Sequence, residues 1–230
     1  MIGGVIAGQM RKASGGAVNT VSYVGVSATR WATATSITET VPASSVVGDL
    51  LIAIFMHRVA ATAPSGWALV RSQTITSGVT AQILSVYSKV ALAGDPAASM
   101  TFEQASSQRT SLTLVVLRGS ISSPVVLSSA ASTTSASATV PVAAVGPAAQ
   151  GNMLVAAATT ILAVGAGTAT FVVPGGLTQV TSSASTDAAN QLRTCVGYKS
   201  LVAGESASGA FAMNGDPTGN GMSSISVLVG

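Results

Sequence analysis

Charge is scarce in this chain. Asp, Glu, Lys and Arg together supply 7% of its 230 residues, against roughly 25% in an ordinary soluble domain. The ten basic residues are scattered from Arg11 to Lys199, and Arg11-Lys12 is their only adjacent pair. No stripe of the kind that phosphate contacts need can be drawn, so no nucleic-acid partner is expected. Cysteine occurs once, at Cys195, which excludes an internal disulfide framework and a cysteine-based zinc site. Histidine also occurs once, at His57. Asp49 lies on the same expected strand but about 26 Å away at about 3.3 Å per residue, too far for a direct Ser-His-Asp arrangement. The serines of "GESASG" (Gly204 to Gly209) are out of register for a nucleophile elbow. "GAGTAT" lacks the third glycine of a dinucleotide fingerprint, and there is no phosphate-binding GxxxxGK[ST]. The seven acids are too dispersed to nominate a catalytic pair. "NGDPTGNG" (Asn214 to Gly221) gathers oxygen atoms but has a single carboxylate, Asp216, and reads as a loop before it reads as a calcium site. The expectation is a protein with no enzymatic activity, no cofactor and no metal.

Mean hydropathy is nevertheless +0.58, and no charge falls between Arg118 and Asp187. The best membrane candidate, Met153 to Gly167, is shorter than the roughly 20 apolar residues of a spanning helix. It lacks flanking basic clusters, and prolines stand at positions 147 and 174 on either side. No membrane insertion is expected. Nor does "MIGGVIAGQMRKASGG" read as a signal peptide, because its basic pair follows the apolar run.

A repeat accounts for the apolar run. "ATATSITETVP" (Ala32 to Pro42) is answered by "STTSASATVP" (Ser132 to Pro141), and "GDLLIAIF" by "GNMLVAAA". "PSGWALV" meets "PGGLTQV" with Trp67 opposite Leu177, and "VYSKVALAGDPAAS" meets "VGYKSLVAGESASG" with Asp95 opposite Glu205. "SLTLVVLRG" meets "SSISVLVG", so that Gly119 aligns with Gly230. Five blocks in one order point to an internal duplication: an N-terminal arm and lead-in over 1–27, one copy over 28–120 and a second over 127–230.

The blocks are short, rich in Val, Ile, Thr and Leu, and punctuated by Gly, Pro, Asp and Asn, which reads as all-β. Leu50 to Met56 is apolar throughout, as in a strand covered on both faces by its own sandwich or by the sister copy. Leu112 to Leu117 and Ser223 to Val229 partly alternate, as in strands with one buried face. Each copy is expected to be a β-sandwich with jelly-roll or immunoglobulin-like connectivity.

The succession "TETVPASSVVGDLLIAIF", "APSGWALVRSQ", "LSVYSKVALAGDPAASMTF" and "LTLVVLRG" resembles a β-sandwich module of tailed-bacteriophage structural proteins, notably minor tail, appendage or decoration proteins of actinobacterial phages. The resemblance covers residues 36 to 119 well and the second copy in outline. Its markers GDLL, PxGW and AGDP are turn and core positions without a catalytic role. It implies a virion component, assembled in the host cytoplasm, that contacts other virion proteins. A homotrimer is expected, because three two-domain chains match a six-fold environment. The alternative is a carbohydrate-binding or adhesive module for a host-surface glycan, with Trp31 as the ligand contact. In the arm, Ile2, Val5 and Ile6 are expected to bury apolar area on a partner subunit, with Arg11 and Lys12 near solvent or an acidic neighbour.

Overall fold

The computed structural model describes residues 20–77, 80–119, 125–133, 137–162, 169–185, 191–214 and 219–230. These residues form antiparallel sheets with no helix among them. The first half contributes β1 (Ser22–Val26), β2 (Arg30–Thr40), β3 (Leu50–His57), β4 (Ala61–Thr62), β5 (Ala68–Ser77), β6 (Thr80–Val90) and β7 (Ser99–Arg118). The second contributes β8 (Leu127–Ser132), β9 (Thr139–Pro141), β10 (Met153–Leu162), β11 (Thr170–Val172), β12 (Thr178–Ala184), β13 (Gln191–Ser200), β14 (Ala210–Asn214) and β15 (Gly219–Val229).

The first half pairs in the order β1-β7-β3-β6-β5, and the second in the order β8-β15-β10-β13-β12. Strand β7 is long enough to serve two layers. Its C-terminal part pairs with β1 and β3, while its N-terminal part pairs with β2 and β4. In the second half the corresponding layer is a separate sheet, β11-β14-β9. Position by position the halves therefore have the same strand neighbours.

Burial explains the uninterrupted apolar runs. Every residue of β3 and of β10 is buried, because successive side chains point to opposite faces and each face has its own cover. Leu51, Ala53 and Phe55 pack against Ile37 of β2 and Met100 and Phe102 of β7. Leu154, Ala156 and Ala158 pack against Val140 of β9, Phe171 of β11 and Phe211 of β14. The alternate residues meet one another across the halves: Leu50, Ile52 and Ile54 share a core with Met153, Val155 and Ala157. Four layers of strand result, with the two larger sheets innermost.

The contacts between those inner sheets are reciprocal in part, the β5 edge lying over β15 as well as β8 without a matching contact of β12. Strand β7 touches β13 and β6 touches β15, while the edge strand β5 lies over the edge strand β8. At the other edge the rings of Tyr23 on β1 and Tyr198 on β13 stack with centroids 4.5 Å apart and planes 9° from parallel. At the far end the contact turns polar, with Ser111 Oγ 3.1 Å from Thr194 Oγ1 and Thr29 Oγ1 3.2 Å from Thr181 Oγ1.

Three sequence expectations change in detail. Residues 22–26, placed in the lead-in, form β1 and close the sheet edge beside β7; the glycine in "SYVGV" interrupts the apolar pattern by which a strand is recognised. Leu112 to Leu117 and Ser223 to Val229 are buried on both faces, because Thr113 and Ser223 lie on the face that meets the other half, while Ser224 turns into the second half's own core and donates to the Pro141 carbonyl. Finally, Leu50 faces Leu117 whereas Met153 faces Val229. Leu117 therefore corresponds to Val229, and Gly230 stands where Arg118 stands, one residue off the alignment of Gly119 with Gly230.

Candidate interaction surface

His57, at the end of β3, is 4% exposed and stacks on Phe55 with centroids 4.9 Å apart. Its Nδ1 lies 2.8 Å from the Val59 carbonyl, to which it donates, and its Nε2 lies 2.9 Å from Ser85 Oγ. Ser85 Oγ in turn lies 3.1 Å from Ser72 Oγ. This chain of hydroxyls resembles a nucleophile–base pair, but Ser85 is 2% exposed, and Asp49 precedes the opposite end of β3. The arrangement satisfies a buried imidazole.

Burial pushes the His57 pKa below its ordinary value, outweighing the upward pull of the Val59 carbonyl. A group whose folded pKa is depressed loses stability as pH falls from its unfolded value, near 6.5, toward the folded one. Stability is expected to decline between pH 7 and 5, and His57→Leu should remove that decline. Urea midpoints at a series of pH values test this; an unchanged slope in the variant would refute it.

The acidic residues hold turns. Asp49, 2% exposed, accepts 2.8 Å bonds from Arg118 Nε and Nη2 and one of 2.8 Å from the Val46 N–H. Burial acts to raise its pKa, but these hydrogen bonds and the Arg118 charge bring it below the usual carboxylate range. In the second half Asn152 replaces Asp49 and Gly230 replaces Arg118, so charge and counter-charge disappear together, and Asn152 Nδ2 donates to the Val229 carbonyl at 3.1 Å. The next turn keeps its pair. Lys89 Nζ is 2.8 Å from Asp95, which also accepts from the Leu92 N–H at 2.7 Å, and Lys199 and Glu205 repeat the arrangement, with Glu205 accepting from the Val202 N–H. Gly94 and Gly204 take φ of +93° and +82° there, which glycine adopts without steric cost.

These turns present an apolar end. The loop before β3 exposes Val46 (49%) and Val47 (62%), and the loop after β6 exposes Leu92 (60%). The Gly48 N–H donates to the Ala91 carbonyl at 2.9 Å, which joins the two loops. Between the halves lies a groove of about 370 Å³, bordered by Leu69, Val70, Ser88, Val125, Val126 and Leu127. Sequence reading missed both features. For the loops the signal was present in "SSVVGD" and "VALAGD", where apolar residues stand directly before turns that cannot bury them.

Of the residues nominated from sequence, Trp31 is half-buried against Met56, Ile161 and Leu192 at the junction of the halves. Only part of its ring faces solvent. Trp67 is also half-buried and meets Phe102 edge-on at 5.4 Å, and its counterpart Leu177 packs on the second half's core. Ile2, Val5, Ile6, Arg11 and Lys12 lie outside the described residues, as does Asp216. Cys195 is buried, and burial pushes its thiol up to about 12. Among the described residues no three His, Cys, Asp or Glu side chains gather as metal ligands. No helix among them is long and apolar enough to cross a membrane.

The arrangement defines an all-β protein with an apolar, loop-built end. No protein-family model, curated protein or solved structure matches the chain.

Proposed function

We propose that this chain is a non-enzymatic structural component of a tailed-bacteriophage particle, acting through protein contacts. In this reading it consists of two tandem jelly-roll-like sandwiches from an internal duplication, preceded by an arm. The observation that carries it is the end formed by Val46, Val47 and Leu92, large apolar side chains held in water by turns that are themselves rigidly bonded. Exposed apolar groups on a fixed frame suit a surface that a neighbour covers. The duplication is supported by the identical strand neighbours in the two halves. In the first half the order β1-β7-β3-β6, with β2 and β4 on the other part of β7, follows jelly-roll wiring. The GDLL, PSGW and AGDP blocks fall at turns and core edges, as the resemblance implies.

The working assembly is a homotrimer within the virion, with the arm on a partner subunit. The test is stoichiometry in purified particles: a fixed copy number per particle, with Val47→Glu/Leu92→Glu excluded from particles although folded, is expected. Full incorporation of that variant would count against the apolar end as the contact. A glycan-binding role instead predicts sugar-specific affinity that Trp31→Ala abolishes.

A further inference from the structure

The halves share the same strand neighbours, but the contact between them differs from one edge to the other. Ser88 faces Ile52 on β6 and Tyr198 faces Val155 on β13, each followed by a turn lysine, Lys89 or Lys199. The two positions are equivalent. Tyr23 on β1 faces Leu117, and the chain leading into β8 runs beside Leu228, the Val126 N–H donating to its carbonyl at 2.8 Å. So the place that holds the Tyr23–Tyr198 ring stack on one side holds Ser88 and the Val125–Val126 segment on the other. Two rings are absent, and the groove of about 370 Å³ occupies their position. Its rim is open and mixes large apolar side chains, Leu69 (57% exposed), Val126 (47%) and Leu127 (42%), with Ser88 and Ser128. Both strands beside it, β5 and β8, are sheet edges among the described residues, and an edge offers its backbone to an added strand.

We infer that this groove receives residues 1–10 of a second copy of this chain. The inference rests on the reading of the chain as an assembling particle protein. "MIGGVIAGQM" fits the vacancy: in an extended segment Ile2 and Ile6 share one face, about 13 Å apart, and the glycines allow close approach to a strand edge. The segment joins the fold at Thr20, before β1, where the Val21 N–H is fixed to the Gly151 carbonyl at 3.1 Å. Strand β1 lies at the edge of its sheet opposite β5, four strand spacings or about 19 Å away. A segment leaving one edge and a receptor on the other make a head-to-tail contact, which closes into a ring when the rotation permits. That geometry accommodates a trimer.

Disulfide trapping tests it, because the buried Cys195 stays silent under mild oxidation. The double variant Ile6→Cys/Leu127→Cys is expected to give covalent oligomers, and mixing the two single variants should give a heterodimer that neither forms with the unmodified chain. A cross-link confined to monomers would overturn the inference in favour of the chain's own segment, and no cross-link would overturn it outright. In parallel, Leu127→Glu should weaken self-association at least tenfold in sedimentation, with unchanged circular dichroism; unaltered association would overturn it. Failure here with normal incorporation into particles leaves the structural role standing. Absence of the chain from particles removes the role itself.

Discussion

Ile52→Asp is expected to abolish the folded state of the whole chain, not of one half. Ile52 is fully buried in the core shared with Val155, Val196 and Val227. Its neighbours in that core are apolar, so a carboxylate there must either remain charged in an apolar setting or take up a proton, and both are costly. A loss of about 4 kcal/mol or more places the substitution among the severe ones. Since the core draws on both halves, the unmodified protein should unfold in one calorimetric transition, and Val155→Asp should match Ile52→Asp. Two separate transitions, with Ile52→Asp lowering only one, would show that the halves fold independently.

Phe102→Ala is the second large effect. Phe102 is fully buried and lies within 5.3 to 5.5 Å, centroid to centroid, of Phe55, Trp67 and Tyr87. Truncation removes the ring on which all three converge and leaves a cavity between β3 and the N-terminal part of β7, at a cost of about 3–5 kcal/mol. Phe211, in the second half, has one ring neighbour, Phe171 at 6.3 Å. Phe211→Ala should therefore fall at the lower end of that range. Chemical denaturation of the two variants side by side checks the ranking; a smaller loss for Phe102→Ala would mean that the layer over β3 collapses into the space.

The central strands were legible because their chemistry is extreme. "LLIAIFM" and "MLVAAATTIL" allow no solvent-facing side, and the structure covers both sides of each. The turns at Asp49 and Asp95 were legible for a related reason: glycine followed by a carboxylate marks a place where the backbone needs a left-handed residue and an acceptor. Less could be read where the outcome depends on pairing between distant segments. Within Leu112 to Leu117 the hydroxyl of Thr113 reads as part of a solvent face, and only the arrival of the second sheet makes it interior. Strand β1 was hidden because its fit rests on Arg118 and Leu117, nearly a hundred residues later. The groove could not be foreseen at all, since it is defined by the tyrosine that Ser88 is not.

One feature of the register bears on how such a chain is put to use. Ser22 pairs with Arg118 and Leu127 with Leu228, so in each half the point where the polypeptide enters lies beside the point where it leaves. The Val21–Gly151 bond and the approach of Gly230 to Asn152 and Val126 gather all four points at the same extremity of the body. A unit with adjoining entry and exit behaves as a cassette: it can be spliced into a surface loop of another protein, or copied in series, without pulling its sheets apart. Among the described residues the opposite extremity carries no covalent link between the halves.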